Sequence, residues 1–170
     1  DILISSNLER LLYLKAGASK TAAYMKSLRE TGAYRVAPDV HESITRDISG
    51  LYCGEEQTEQ TIRRTFERYR YLCDTHTAVG LHCAEKYIRE SGDSAKTLVV
   101  STASPFKFAV DVCHALTVKR PEDEMASLEE LSAHTGVAAP VQLASLREKA
   151  VRFAQVVDSD NMMEQVLHFA

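Results

Sequence analysis

Leu98-Val99-Val100-Ser101-Thr102-Ala103-Ser104-Pro105-Phe106-Lys107-Phe108 passes from an apolar run into a hydroxyl-rich turn and then into a helix start. Leu98, Val99 and Val100 form the kind of β-branched apolar run that is buried inside a parallel sheet, so the pattern predicts a short strand. Ser101, Thr102 and Ser104 then place hydroxyls and free backbone N–H groups beyond the strand's carboxyl end. Pro105 suits the first turn of the following helix, where its missing N–H would have had no partner. In open α/β sheets ligands bind outside the carboxyl ends of the strands, so this turn reads as the floor of a ligand site.

Outward from this stretch the chain is mostly helical. Ser5-Ser6-Asn7 can cap a helix with Leu8, Leu11 and Leu12 on its apolar face, ended by Gly17. Ser19 is placed to cap a second helix running to Gly32, Tyr34–Ala37 to form a short strand, and Asp39 to start a helix to Gly50. The clearest amphipathic helix is Glu55–Leu72, with Thr58, Ile62, Phe66 and Tyr69 on one face and Glu59 and Arg63 as an i,i+4 pair on the other. Asp74-Thr75-His76-Thr77 begins a helix through Tyr87, closed by Gly92. The helix from Pro105 should bury Phe108, Val112 and Leu116. Lys119-Arg120-Pro121-Glu122-Asp123 is a polar stop and a candidate boundary, which divides the chain into 1–120 and 121–170. Ser127 and Glu130 have the spacing of a capping box, Pro140 starts a helix to about Phe153, and Ser159 or Asp160 caps a terminal one. Many helices and one or two short strands make a helix-rich α/β inventory. A lone buried strand needs sheet neighbours for its backbone groups, so the rest of the sheet is expected on sequence outside this chain.

Composition narrows the function classes. The 170 residues are 45% hydrophobic and 26% charged, with a net charge of −4 and no basic stripe, so a globular domain is expected and nucleic acid is disfavoured as a partner. No apolar run approaches a membrane span. The chain opens at Asp1 in mid-pattern, without a Met, and reads as a piece of something longer. Cys53, Cys73, Cys83 and Cys113 are too widely spread for a small disulfide scaffold, so a reducing, cytoplasmic compartment is expected. With no Cys-x-x-Cys pair, no metal is expected either.

Two stretches carry candidate chemistry, Asp74–Gly80 and Ser101–Phe108. Each sets small hydroxyl residues at a helix N-terminus, where free N–H groups favour anions or partly negative ligand atoms. Taken alone, Asp74-Thr75-His76-Thr77 reads as a helix cap before it reads as a site.

Taken together and in order, these stretches resemble the carboxyl-terminal part of the threonine synthase family. The resemblance begins at Asp1-Ile2-Leu3-Ile4-Ser5-Ser6-Asn7-Leu8-Glu9-Arg10-Leu11-Leu12. It continues at Asp74-Thr75-His76-Thr77-Ala78-Val79-Gly80, with Thr75 where the family usually has Pro, and is sharpest at Ser101–Phe108. Beyond about Arg120 it is weak. It implies a fragment of a type II pyridoxal-phosphate fold, and a parent lyase converting O-phosphohomoserine and water to L-threonine and phosphate. It assigns the hydroxyl partner of the cofactor's pyridine nitrogen to Thr102, beside Ser101, and leaves Asp74, Thr77 and Ser104 to line the substrate site or shape its loops. His76 is either a general acid/base or a residue that locks the loop by hydrogen bonds. The family's Schiff-base lysine and glycine-rich phosphate loop lie upstream, and neither motif is present here. Lys107 does not replace that lysine, and the fragment alone should be inactive. On this reading, residues 1–120 end the cofactor domain and 121–170 form a helical tail. The expected partners are the phosphorylated amino-acid substrate, the remainder of the parent chain and, through an exposed apolar edge at 98–100, a second copy. Two other readings stay open: a non-catalytic relative that binds phosphorylated ligands, and a helical interaction module.

Overall fold

Ser5 opens the first helix as predicted, its hydroxyl accepting the Leu8 N–H at 3.3 Å. The computed structural model describes residues 5–117, 119–152 and 154–169. Asp1–Ile4, which open the family-like first stretch, and Phe153, the expected helix end, lie outside the described residues. The chain divides into two compact units, Asp1–Leu51 and Tyr52–Ala170.

The first unit pairs helix α1 (Ser6–Thr31) with helix α2 (Pro38–Thr45). Gly17 interrupts α1 with φ 79°, a conformation glycine adopts without a Cβ penalty. The break sits where the sequence places it, but Gly17, not Ser19, begins the second segment, and Thr21 donates its hydroxyl to the Gly17 carbonyl. Leu12 and Val40 are buried, Lys15 bonds Asp47, and Lys20 bonds Asp39. Residues 34–37 form no strand; instead the Ala37 N–H donates to the Tyr24 hydroxyl at 3.1 Å. Pro38 leads α2, which stops at Thr45, short of Gly50.

The second unit is a helical cluster. Helix α3 (Glu55–Tyr69) packs on α4 (Thr75–Ser91) and on α5 (Ala109–Thr117), and α5 packs on α6 (Glu124–Thr135). Ile62, Phe66, Ala78, Val112, Ala115 and Leu131 lie in its core. Burial of such side chains is the main stabilising contribution here, about 1.5–3 kcal/mol for each large aliphatic or aromatic one. α5 packs on α6 across the polar stop at 119–123, and the two compact units adjoin in sequence at Leu51/Tyr52.

Several local expectations are corrected by these contacts. Tyr69 is 64% exposed, so the buried stripe of α3 ends at Phe66. Glu59 and Arg63 do not pair along α3. Arg63 Nε donates to the Ala115 carbonyl at 2.9 Å, near the end of α5, where a cation is favoured by the helix dipole. Glu59 lies 3.7 Å from His114 Nε2. Ser127 is no cap: it is buried inside α6 and bonds the Glu124 carbonyl, while Asp123 caps the helix through the Met125 N–H. The helix expected from Pro140 to about Phe153 is short, α7 (Val141–Ala144) followed by a 3-10 turn to Glu148. Neither Ser159 nor Asp160 caps α8 (Met162–Phe169); both lie in a 3-10 turn ahead of it.

The largest correction concerns 98–100. Among the described residues no strand forms, and Leu98 is 87% and Val100 68% exposed. A strand exists only through a neighbour that completes its ladder, and no described segment supplies one. The helix after Pro105 does form, as a 3-10 turn over Pro105–Phe108 that continues into α5, with Val112 fully buried.

Candidate functional site

The site begins where α3 ends. Arg70 takes a left-handed conformation (φ 56°), its N–H closes on the Phe66 carbonyl, and its guanidinium lies 5.1 Å from the Phe66 ring centroid. The chain then turns inward through buried Leu72 and Cys73 to Asp74, which is wholly buried. Asp74 caps α4: its Oδ1 accepts the His76 N–H at 2.9 Å and the Thr77 N–H at 3.1 Å. Its Oδ2 accepts the Thr77 hydroxyl. The cap reading of Asp74 therefore holds, and the same carboxylate also fixes a buried side-chain hydroxyl.

Burial pushes the Cys73 thiol up to about 11, with the Asp74 carboxylate adding to the shift. Such a thiol is a poor nucleophile, since only the thiolate reacts. At pH 8 its alkylation is expected to run about 100-fold slower than that of an ordinary thiol, from the thiolate fraction alone. Mass spectrometry of iodoacetamide-treated protein checks this; labelling of Cys73 as fast as Cys53 would refute it. The raised value also sets a sign. The unfolded thiol releases its proton first, so this group leaves stability unchanged below about pH 9 and lowers it as pH rises toward 11.

Residues 98–102 run beside the first turns of α4. Gly80 sits on that face, and a Cβ there would lie 3.5 Å from Val99 Cγ1, ordinary contact distance. Gly80→Ala should therefore be accepted and raise stability by up to about 1 kcal/mol through helix propensity. Gly80→Leu should displace Val99 and lower the melting temperature. Matched thermal melts of both variants decide the point, and a destabilising alanine would show that the approach is tighter.

This approach brings Ser101 to Thr77, with Oγ atoms 3.1 Å apart. Asp74, Thr77 and Ser101 thus form one hydrogen-bonded series that joins a buried helix cap to the hydroxyl-rich turn. Next in the chain, Thr102 is exposed, and its hydroxyl engages no described group. Ser104 turns back on its own segment, accepting the Phe106 N–H at 3.3 Å as the cap of the Pro105 turn. His76 is exposed, and its ring meets Phe108 edge-on, with centroids 5.0 Å apart. The contact fixes the ring by packing, and among the described residues the His76 side chain makes no hydrogen bond. Lys107 is exposed, with no ion pair among the described residues. A cleft of about 300 Å³ opens beside the series, lined by Thr65, Tyr69, Tyr71, Thr77, Leu81, Glu85, Val99 and Ser101. The sequence reading placed Tyr69 only on the apolar face of its helix and did not single out Tyr71. Their signal was a pair of tyrosines bracketing the residue that ends α3.

Of the residues named from sequence, the structure joins Asp74, Thr77 and Ser101, sets Thr102 beside them, and pairs His76 with Phe108. Among the described residues no group of three or more His, Cys, Asp or Glu gathers in a way that could hold a metal ion. No described helix is long and apolar enough to cross a membrane.

The family model for the threonine synthase C-terminal region matches residues 77–167, more than half of the chain. The chain belongs to the threonine synthase family. Threonine synthase of Saccharomyces cerevisiae is 35% identical over 133 residues, an alignment covering 69% of this chain and 26% of that protein. The crystal structure of yeast threonine synthase superposes with a TM-score of 0.72 at 26% identity, covering 99% of this chain and 35% of the other. A PLP-bound threonine synthase from Brucella melitensis shares the fold, with a TM-score of 0.65 at 24% identity, over 98% of this chain and 32% of that one. The chain thus spans about a quarter of the length of the curated yeast relative. Its fold is that of the corresponding region of the threonine synthases.

Proposed function

We propose that this chain is the carboxyl-terminal part of a pyridoxal-phosphate-dependent lyase that converts O-phosphohomoserine and water to L-threonine and phosphate. The observation that carries this reading is the Ser101–Thr102 turn held against Thr77 and Asp74, inside a chain of threonine synthase family. When bound, pyridoxal phosphate supplies an electron sink for carbanion chemistry on an amino acid.

The donor set fits one side of that cofactor. A pyridine nitrogen takes one directional hydrogen-bond partner, and Thr102 offers an exposed, uncommitted hydroxyl for that role. The cofactor's phosphate would need a glycine-rich cradle, and of the seven glycines of this chain the nearest two, Gly50 and Gly54, are four residues apart. Residues outside this chain would therefore hold the phosphate and supply the Schiff-base lysine, and the chain alone would be inactive. Within the chain, Thr102 would hold the ring nitrogen, Ser101 would support that turn, and Asp74, Thr77 and Ser104 would shape the loops. His76, exposed and packed edge-on against Phe108, would be the chain's general acid/base. Leu98–Val100, of which Leu98 and Val100 are exposed here, would pair with strands elsewhere in the parent protein, which restores the parallel-sheet setting the sequence implies. Residues 1–120 would then close the cofactor domain, and 121–170 would form its helical tail. Four free cysteines fit a reducing cytoplasm.

The test uses the intact protein that contains this chain. Visible absorbance after addition of pyridoxal phosphate reports binding, and phosphate release from O-phosphohomoserine reports turnover. Both signals are expected. Binding without release would make it a cofactor-binding relative with another substrate, and the absence of both would overturn the proposal.

A further inference from the structure

The backbone and the ring of His76 are held by two different devices. His76 is the second residue of α4, and its N–H donates to Asp74 Oδ1 at 2.9 Å, so the helix cap fixes its main chain. The cap does nothing for the side chain, which is exposed and makes no hydrogen bond among the described residues. An exposed side chain without a partner exchanges freely between rotamers. Here the ring meets Phe108 edge-on, with centroids 5.0 Å apart and planes at 76°, a geometry that aromatic pairs prefer.

Phe108 is braced for that contact. Ser104 caps the turn Pro105–Phe108 through the Phe106 N–H, and the Lys107 N–H donates to the Ser104 carbonyl at 3.0 Å. Phe106 and Ala109 are buried, and the Phe108 ring packs partly against the same core. At the other end of this stretch Ser101 is held to Thr77, the neighbour of His76. Residues 102–107 are thus strung between two adjacent residues of α4. Holding an imidazole by packing also has a chemical consequence. A hydrogen bond to one ring nitrogen would commit that nitrogen and select a tautomer. A phenyl ring restrains the orientation and leaves both nitrogens to a ligand. General acid/base transfer needs the nitrogen within hydrogen-bond reach of the proton it moves, so orientation governs the rate.

We infer that Phe108 is the positioning residue for His76: it orients the imidazole beside the hydroxyl-rich turn and leaves both ring nitrogens available for proton transfer. The inference rests on the reading of His76 as the general acid/base, but the contact itself can be tested without turnover.

Two measurements on the intact protein keep these levels apart. Without cofactor, carbon–proton NMR spectra of histidine-labelled protein give the ring resonances of His76, assigned by their loss in His76→Asn. A neighbouring phenyl ring displaces such resonances, so Phe108→Leu should move them toward the positions of a free histidine, and Phe108→Tyr should leave them near wild type. Unmoved resonances in Phe108→Leu would overturn the inference whatever the activity. With pyridoxal phosphate, phosphate release from O-phosphohomoserine gives kcat and KM. His76→Asn should lower kcat about 100-fold. Phe108→Leu should lower kcat about fivefold and leave KM within about twofold, while Phe108→Tyr should retain both. In the His76→Asn background, Phe108→Leu should change kcat less than about twofold, because the ring it acts through is gone. Equal losses in both backgrounds would mean a merely structural Phe108 and would overturn the inference, as would an unchanged kcat in His76→Asn. A wild-type protein that releases no phosphate would overturn the functional reading and the catalytic half of this inference with it, while displaced resonances would still establish the contact.

Discussion

Replacing Asp74 by alanine is expected to cost about 2–4 kcal/mol of stability. One part is the lost helix cap, typically ~1 kcal/mol, because the His76 and Thr77 N–H groups lose the oxygen that receives them. The other is the Thr77 hydroxyl, which is buried and would lose the acceptor for its proton, a penalty of about 1–3 kcal/mol. The removed side chain also leaves space at a fully buried position, which adds to the loss rather than offsetting it. Asp74→Asn separates the contributions. Its remaining oxygen can still cap α4, but its amide cannot accept the Thr77 proton, so roughly half of the loss should persist. Urea denaturation of the chain, compared at equal m-value, provides the measurement. A loss below ~1 kcal/mol for Asp74→Ala would mean that water replaces the carboxylate readily and that the buried series has little structural weight.

Thr102→Asp in the intact protein is expected to lower phosphate release from O-phosphohomoserine at least ~100-fold, equivalent to about 2.7 kcal/mol of barrier. A hydroxyl accommodates a pyridine nitrogen with or without its proton, because it can both donate and accept. A carboxylate only accepts, so it would hold that nitrogen protonated and make the ring a permanently stronger electron sink. The proposed reaction needs several proton transfers before water is added, and a sink of fixed strength would favour the wrong partition. Thr102→Ser should retain activity within a few-fold, since it keeps the hydroxyl. Cofactor affinity, measured separately, guards against simple loss of the cofactor. Turnover within threefold of wild type for Thr102→Asp would remove Thr102 from the ring-nitrogen role.

These two sites also show where sequence and tertiary structure divide the work. Ser5, Asp74 and Ser104 cap their helices as their sequence context implies, and Gly32 and Gly92 close theirs in left-handed conformations. A cap depends on groups two or three residues away, so a short window of sequence contains all of its partners. The family resemblance was legible for a similar reason, since its motifs are contiguous strings. Glu59 and Arg63 were misjudged because helical spacing specifies who can be a neighbour on one helix, not which second helix arrives. Once α5 packs on α3, a carbonyl and an imidazole compete for the same two side chains and win. Ser127 has the spacing of a cap, but its burial in α6 is decided by the packing of that helix on α5.

By itself, then, the sequence determined most of the helices, several of their caps and the family, because each of these rests on neighbours within a turn or on an unbroken string. The fate of Leu98–Val100 and the meeting of Thr77 with Ser101 were decided only in three dimensions. An apolar run becomes a strand only when another strand completes its hydrogen bonds, and none does so among the described residues. The two hydroxyls stand 24 residues apart in the chain, and what brings them within 3.1 Å is the approach of Val99 to the bare face of α4 at Gly80. Such a contact depends on how whole elements pack, which no local pattern of residues encodes.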